Sequence, residues 1–278
     1  MGLKLYIKRG LQYIFSGIPE KIVKPNISYL APNARLQDKK IVITGGGRGL
    51  GYAMAKKFSS EGATVLISGR NEDKLKEVSQ ELGCKWLLLD VKKDETFQEF
   101  INNASELLGG IDCLVNNAGI SLHEGNIRNV SSDQFDAQLL TNLKGPYFLA
   151  QKFVEFCEKR SNTKTHILFV SSERGSYVDD LPYGLTKAAI NSFVQGLSNR
   201  VIGSGIRVNA IAPGVTASDM TGFDPNGNLY CSYNITGRVY LPEEVAEVAC
   251  FLLSDASACL SGQILVCNEG KSINSHWR

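Results

Sequence analysis

Thr44-Gly45-Gly46-Gly47-Arg48-Gly49-Leu50-Gly51 is the stretch of this chain that decides its fold. It ends a short apolar run at residues 41–44 and leads into an amphipathic run at residues 51–60. When a strand passes through a glycine turn into a helix, the first helical N–H groups are left unpaired, at the positive end of the helix dipole. Gly45, Gly49 and Gly51 tolerate positive φ and let the backbone approach a pyrophosphate, with Leu50 opening the helix. Glycine-rich turns are common, but a strand before and a helix after mark this one as a dinucleotide-binding turn.

Outward from the turn, the same alternation continues. Residues 41–44, 64–68, 85–89, 111–116, 166–171, 206–212 and 263–267 are short runs rich in Val, Ile and Leu. They are too continuously apolar to keep one wet face, which suits parallel strands covered on both sides. Between them, residues 51–60, 73–82, 95–108, 132–158, 183–202 and 243–253 are amphipathic. The pattern predicts an α/β fold, a doubly wound parallel sheet in a single domain spanning residues 38–278. The 278 residues are enough for one such domain with a well-buried core.

Residues 1–37 break the rhythm and read as a basic N-terminal extension, with Lys4, Lys8, Arg9, Lys21, Lys24 and Arg35 against only Glu20. Leu3, Ile7, Leu11 and Ile14 would share one face of a helix, whereas Leu5 falls on the polar side. Such a segment can make a weak contact with an anionic membrane surface, or pack on its own domain or a neighbouring subunit, the reading favoured here. Lys8 and Arg9 interrupt the apolar core that a signal peptide would need.

Thirty Lys and Arg against 28 Asp and Glu leave a net charge of +2. That balance offers no footprint for nucleic acid, and none is expected as a partner. The seven cysteines are scattered, odd in number and never at C-x-x-C or metal-ligand spacing. They read as reduced thiols of a cytoplasmic protein with no metal site.

At the end of the second strand, where an acid usually holds the ribose 2′-hydroxyl of NAD, stand Ser68, Gly69, Arg70 and Asn71. No carboxylate is there to repel a 2′-phosphate, and the Arg70 guanidinium can pair with one. Arg48, inside the glycine turn, adds a second positive charge. The pair points to NADP(H).

Further motifs follow in order: Asp90 and Val91 after the third strand, N-N-A-G at 116–119, Asn142, S-S-E-R-G at 171–175, Y-G-L-T-K at 183–187, Pro213 with Gly214, and S-G-Q at 261–263. Together with the T-G-x-x-x-G-x-G turn, they resemble the short-chain dehydrogenase/reductase family, including its 3-oxoacyl-(acyl-carrier-protein) reductases, over roughly residues 38–270. The resemblance implies a Rossmann fold and a hydride exchanged between nicotinamide and a carbonyl or secondary alcohol. It places Asp90 and Val91 at the adenine, and Asn116, Ala118 and Gly119 beside the cofactor ribose, with Asn117 more internal. Pro213, Gly214, Thr216 and Ser218 would border the nicotinamide carboxamide. The link from Ser172 to Tyr183 is shorter than is usual in the family.

The chemistry explains why these residue types belong together. Reducing a ketone puts hydride on carbon and a proton on oxygen, so an acid must stand beside the nicotinamide. Tyr183 has the hydroxyl, and a phenol of pKa about 10 needs neighbouring positive charge to act as a base in reverse. Lys187, one helical turn on, supplies that charge and can also hold the nicotinamide ribose. Ser172 is expected to hydrogen-bond the substrate oxygen, chosen over Ser171 because S-x-x-G then ends at Gly175. The resemblance implies that Asn142, through its backbone or an ordered water, links Lys187 to solvent; as a plain structural amide it would instead kink its helix.

An alternative reading is an NADPH-binding sensor or scaffold without turnover, against which stands the retained set of Tyr183, Lys187, Ser172 and Asn142. Residues 216–240 read as a lid with Met220, Phe223, Tyr230, Tyr233 and Tyr240. His123, Glu124, Glu173, Arg174, Asp179 and Asp180 read individually as exposed loop charges. The family implies a homodimer or homotetramer formed through residues 132–158 and 183–202. The family's substrates include 3-oxoacyl thioesters, steroids, sugars and polyols, and the sequence does not choose among them.

Overall fold

The computed structural model describes residues 34–160 and 164–273. The amphipathic reading of the extension falls on residues 1–33, outside the described residues.

Seven parallel strands form one sheet in the order β3-β2-β1-β4-β5-β6-β7. They are β1 Lys40–Thr44, β2 Thr64–Gly69, β3 Lys85–Leu88, β4 Cys113–Asn116, β5 Thr165–Val170, β6 Ile206–Pro213 and β7 Ile264–Cys267. Each run identified by its apolar continuity is a strand. Side chains alternate across the sheet, so neighbouring residues of β1 enter different cores. Val42 packs with Leu114, Ile167 and Phe169 under helices α3 (Phe97–Leu108), α5 (Gly145–Glu158) and α6 (Pro182–Val201). Ile41 and Ile43 pack with Ile67 and Val115 under α1 (Gly49–Ser60), α2 (Glu72–Leu82) and α7 (Pro242–Leu253). Sequence order reverses between β1 and β4, which opens a crevice at the carboxyl ends of the strands.

The run at residues 132–158, read as one helix, is divided. Helix α4 (Ser132–Leu139), started by a capping box at Ser131, passes into a π-turn at Leu140–Lys144 before α5 begins. The wider turn rotates the helix and shifts its hydrogen-bond register at Asn142.

Arg35, counted with the basic extension from sequence, belongs to the folded domain. Its guanidinium bonds Glu61 at 2.7 Å and Glu247 at 2.8 Å, its N–H donates to the Glu61 carboxylate at 3.1 Å, and the next residue, Leu36, is fully buried. Lys57 adds a second cation on Glu61 at 2.8 Å. Burial alone would push the Glu61 carboxyl up, but hydrogen bonds from Arg35 and Lys57 outweigh it and hold the group at about 2.

Among the described residues, no helix is long and apolar enough to cross a membrane, and no cluster of His, Cys, Asp and Glu is placed to hold a metal ion. All seven cysteines are free thiols.

Candidate active site

A cleft of about 690 Å³ runs along the carboxyl ends of the strands, within the range of small-molecule sites. Its floor begins at the glycine turn, where Gly45 has φ +68° and Gly49 φ +53°. A Cβ on Gly51 would lie 2.2 Å from the Gly45 carbonyl oxygen, so only glycine lets α1 start so close to the strand. Asn117 holds the turn from behind. Its Nδ2 donates to the carbonyls of Thr44 and Gly45 at 2.9 and 3.0 Å, and Thr44 Oγ1 accepts the N–H groups of Asn117 and Ala118 at 3.0 Å each.

The start of α1 is left open for an anion. Asn71 caps α2 and Ser131 caps α4, but α1 has no side-chain cap and no acid in its first turn. Those donors border the cleft, where an anion such as a pyrophosphate can reach them.

Arg70 is exposed on the cleft after strand β2 and makes no ion pair among the described residues. Arg48 is engaged. Its Nη1 lies 3.2 Å from Asp219 on the opposite rim, and both side chains are about three-quarters exposed. Leu50, Asp90, Val91, Ala118, Gly119, Pro213, Gly214, Thr216 and Ser218 all line the cleft. Asn116 does not: it is buried at the end of β4, and Asn117 takes the position on the wall. The side-chain alternation of the strand accounts for this exchange, since consecutive residues face opposite ways.

Toward the other end stand the residues of the expected proton chemistry. Ser171 turns into the fold, its Oγ on Asn191 at 2.6 Å and on the Lys187 carbonyl at 3.3 Å. Ser172 accepts the Arg174 N–H at 3.2 Å, and its hydroxyl lines the cleft beside Tyr183. Gly175 seats this serine turn on α6, because a Cβ there would lie 2.7 Å from the Lys187 carbonyl. Tyr183 stands in the first turn of α6, behind Pro182. Burial pushes its phenol up, against the hydrogen bond from Ser172 and the charge of Arg174. Lys187 is 5% exposed, with Nζ 5.6 Å from the centre of the Tyr183 ring and 2.8 Å from the Val170 carbonyl oxygen. Burial pushes its ammonium down to about 8.

Asn142 lies beneath the cleft wall rather than in it. From the π-turn its amide grips both backbone groups of Ile120, accepting the N–H and donating to the carbonyl at 2.8 Å each. A Cβ on Gly119 would sit 3.4 Å from Asn142 Oδ1 and 3.7 Å from Lys187 Nζ, so the two side chains flank that glycine. Ile120, Thr141, Met220 and Thr221 also line the cleft, and of these only Met220 had been singled out, as a lid residue. Ile120 directly follows N-N-A-G, the one signal that could have found it.

The chain has relatives among known proteins in both sequence and fold. A family model described as Enoyl-(Acyl carrier protein) reductase matches residues 45–272. The 3-oxoacyl-(acyl-carrier-protein) reductase of Chlamydia muridarum is 34% identical over 247 residues, covering 86% of this chain and 99% of its own. A short chain dehydrogenase from Burkholderia cenocepacia, solved in complex with NADP, superposes with TM-score 0.75 at 26% identity, covering 85% of this chain and 99% of its own. The 3-ketoacyl-(acyl-carrier-protein) reductase of Brucella melitensis, complexed with NADH, gives TM-score 0.79 at 27% identity, covering 86% and 100%. Sequence, fold and relatives converge: the chain belongs to the short-chain dehydrogenase/reductase family of oxidoreductases, where it is similar to the 3-oxoacyl-(acyl-carrier-protein) reductases.

Proposed function

We propose that the protein is an NADP(H)-dependent oxidoreductase that interconverts a carbonyl and a secondary alcohol through Tyr183, Lys187 and Ser172. The observation that carries this reading is Ser172, Tyr183 and the buried Lys187, its Nζ 5.6 Å from the Tyr183 ring centre, in the same cleft as the uncapped glycine turn. Gly45, Gly49, Leu50 and Gly51 would hold the pyrophosphate, Arg48 and Arg70 the 2′-phosphate, and Asp90 and Val91 the adenine. Ala118 and Gly119 would border the ribose, and Pro213, Gly214, Thr216 and Ser218 the nicotinamide. Of the two similar structures with cofactor, one holds NADP and the other NADH, so the choice of NADP(H) rests on the two arginines of this chain.

The nicotinamide, when bound, supplies or accepts the hydride. Ser172 and Tyr183 both offer hydroxyls to one substrate oxygen, fixing and polarising it. Burial favours the neutral phenol of Tyr183, while Lys187, pushed down to about 8, still carries its ammonium proton at neutral pH. That state suits reduction, in which Tyr183 gives a proton to the developing alkoxide. Lys187 then restores the phenol, and Asn142 keeps the neighbouring wall in place.

Exposed Phe135, Leu140, Tyr147 and Leu185 on the helices around the π-turn fit self-association as a homodimer or homotetramer. The seven free thiols fit a reducing, cytoplasmic setting.

The test is a panel of ketones and 3-oxoacyl thioesters, followed by NADPH absorbance with wild-type protein and Tyr183→Phe. Wild type should turn over at least one carbonyl, while Tyr183→Phe loses on the order of a hundredfold or more and still binds NADPH. An active Tyr183→Phe would overturn the mechanism; NADPH binding with no wild-type turnover would favour a sensor.

A further inference from the structure

Glu173 follows Ser172 directly and reads from sequence as an exposed loop charge, yet it is only 4% exposed. Its carboxylate is gripped from distant parts of the chain. Oε2 accepts from Asn268 Nδ2 at 3.0 Å and from the Tyr177 hydroxyl at 3.2 Å, and Oε1 accepts from Lys271 Nζ at 3.0 Å. Lys271 reaches on to Asn234 Oδ1 at 3.2 Å and lies 5.6 Å from the centre of the Tyr233 ring. Asn234 and Tyr233 belong to the lid stretch, and Asn234 in turn donates to the Arg238 carbonyl at 2.7 Å. The segment after β7 thus joins the serine turn to the lid, and Asn268 and Asn234 are themselves buried.

We propose that Glu173 is a positioning residue: its carboxylate clamps the Ser172 turn to the Asn268 and Lys271 side chains and, through Lys271, to the 216–240 stretch whose first residues line the cleft. The inference rests on the catalytic reading of Ser172 and Tyr183 given above. A buried carboxylate accepts on both sides at once, which is what two ammonium or amide donors and a phenol require. A glutamine of the same shape accepts on one side only and turns an N–H toward a donor on the other. Through this chain of contacts, a shift of the Ser172 turn is transmitted to the 216–240 stretch. Substrate capture and the placement of the polarising hydroxyl are therefore one event.

Two variants test it, Glu173→Gln and Lys271→Met, with Lys271→Arg as the rescue. If the clamp positions Ser172, each of the first two lowers kcat/KM by roughly tenfold to a hundredfold, the cost of a small misplacement at a reacting centre, while the NADPH Kd stays within about twofold. The double variant is no worse than Glu173→Gln alone, because both remove the same link. Amide exchange quickens at residues 214–240 and 172–177 in both, and Lys271→Arg restores both readouts.

Wild-type kcat/KM in Glu173→Gln overturns the proposal, as do losses that multiply independently in the double variant. A loss of NADPH binding in step with falling Tm also overturns it, since that marks general unfolding. If wild type reduces no carbonyl, the catalytic reading falls, and the exchange measurement still decides the clamp: unchanged exchange at the lid sinks it.

Discussion

Lys187 Nζ donates to the Val170 carbonyl at 2.8 Å, tying helix α6 to the end of strand β5 under the cleft. One neutral carbonyl does not replace the water that a buried ammonium loses, which is why the group falls from 10.5 to about 8. Between those values the unfolded chain binds the proton and the folded chain does not. The Lys187 contribution to stability therefore rises with pH across that window. Lys187→Met lacks this rise, so wild type should gain on the variant between pH 7.5 and pH 10 in urea midpoints, while the variant loses turnover. Parallel pH dependences would show that the lysine is not buried as described.

Arg70, on the cleft after strand β2, has no ion-pair partner among the described residues, and Arg48 is held by Asp219 across the rim. Arg70→Ala should weaken NADPH binding by roughly ten- to a hundredfold, as expected for a lost charge-assisted bond, and leave NADH nearly unchanged. Asp219→Asn frees Arg48 and should tighten NADPH by about two- to fivefold at low salt, the range of an exposed pair, with the gain fading as salt rises. Fluorescence titration with both cofactors measures each; equal losses for NADPH and NADH in Arg70→Ala would remove the 2′-phosphate assignment.

Asn142→Ala leaves the N–H and carbonyl of Ile120 without their partner. Each stranded group costs about 1–3 kcal/mol if it stays buried. The cleft wall at Ile120 then loosens, and kcat should fall on the order of tenfold or more. A variant as fast as wild type would show that the amide serves the helix turn alone.

Glu61→Gln takes one of two carboxylates from Arg35 and Lys57, which both keep Glu247, and should cost about 1–3 kcal/mol, as losing a charged hydrogen-bond partner does. The folded carboxyl sits at about 2 against 4.5 in the unfolded chain, so its contribution is complete above 4.5 and disappears as pH falls toward 2. Denaturation midpoints of wild type and variant should differ most near neutrality and converge in acid; a gap independent of pH would argue against the charge as its source.

The strands and helices were legible because their signals are local. Ile41 to Ile43 and the serine and tyrosine motifs carry their meaning within a few neighbours, and the doubly wound parallel class followed from the alternation of strand and helix. What escaped depends on distant partners or on the backbone. Glu173 looked like any loop acid because Asn268 and Lys271 lie 95 and 98 residues away. The π-turn at Asn142 is one hydrogen bond displaced, and no residue type announces it. Asn116 and Asn117 differ only in which way a strand end points, and the motif gives both the same letter. Arg35 counted as one more positive charge until Glu61 and Glu247 came beside it.

That strap from Arg35 to Glu61 also fixes where the chain enters the domain. Every strand is parallel, so all seven begin on one rim, and β1 begins there, at Lys40, just after the strap. The glycine turn, Ser172 and Tyr183 follow strand ends on the other rim. The described chain therefore enters the domain on the rim opposite the mouth of the cleft.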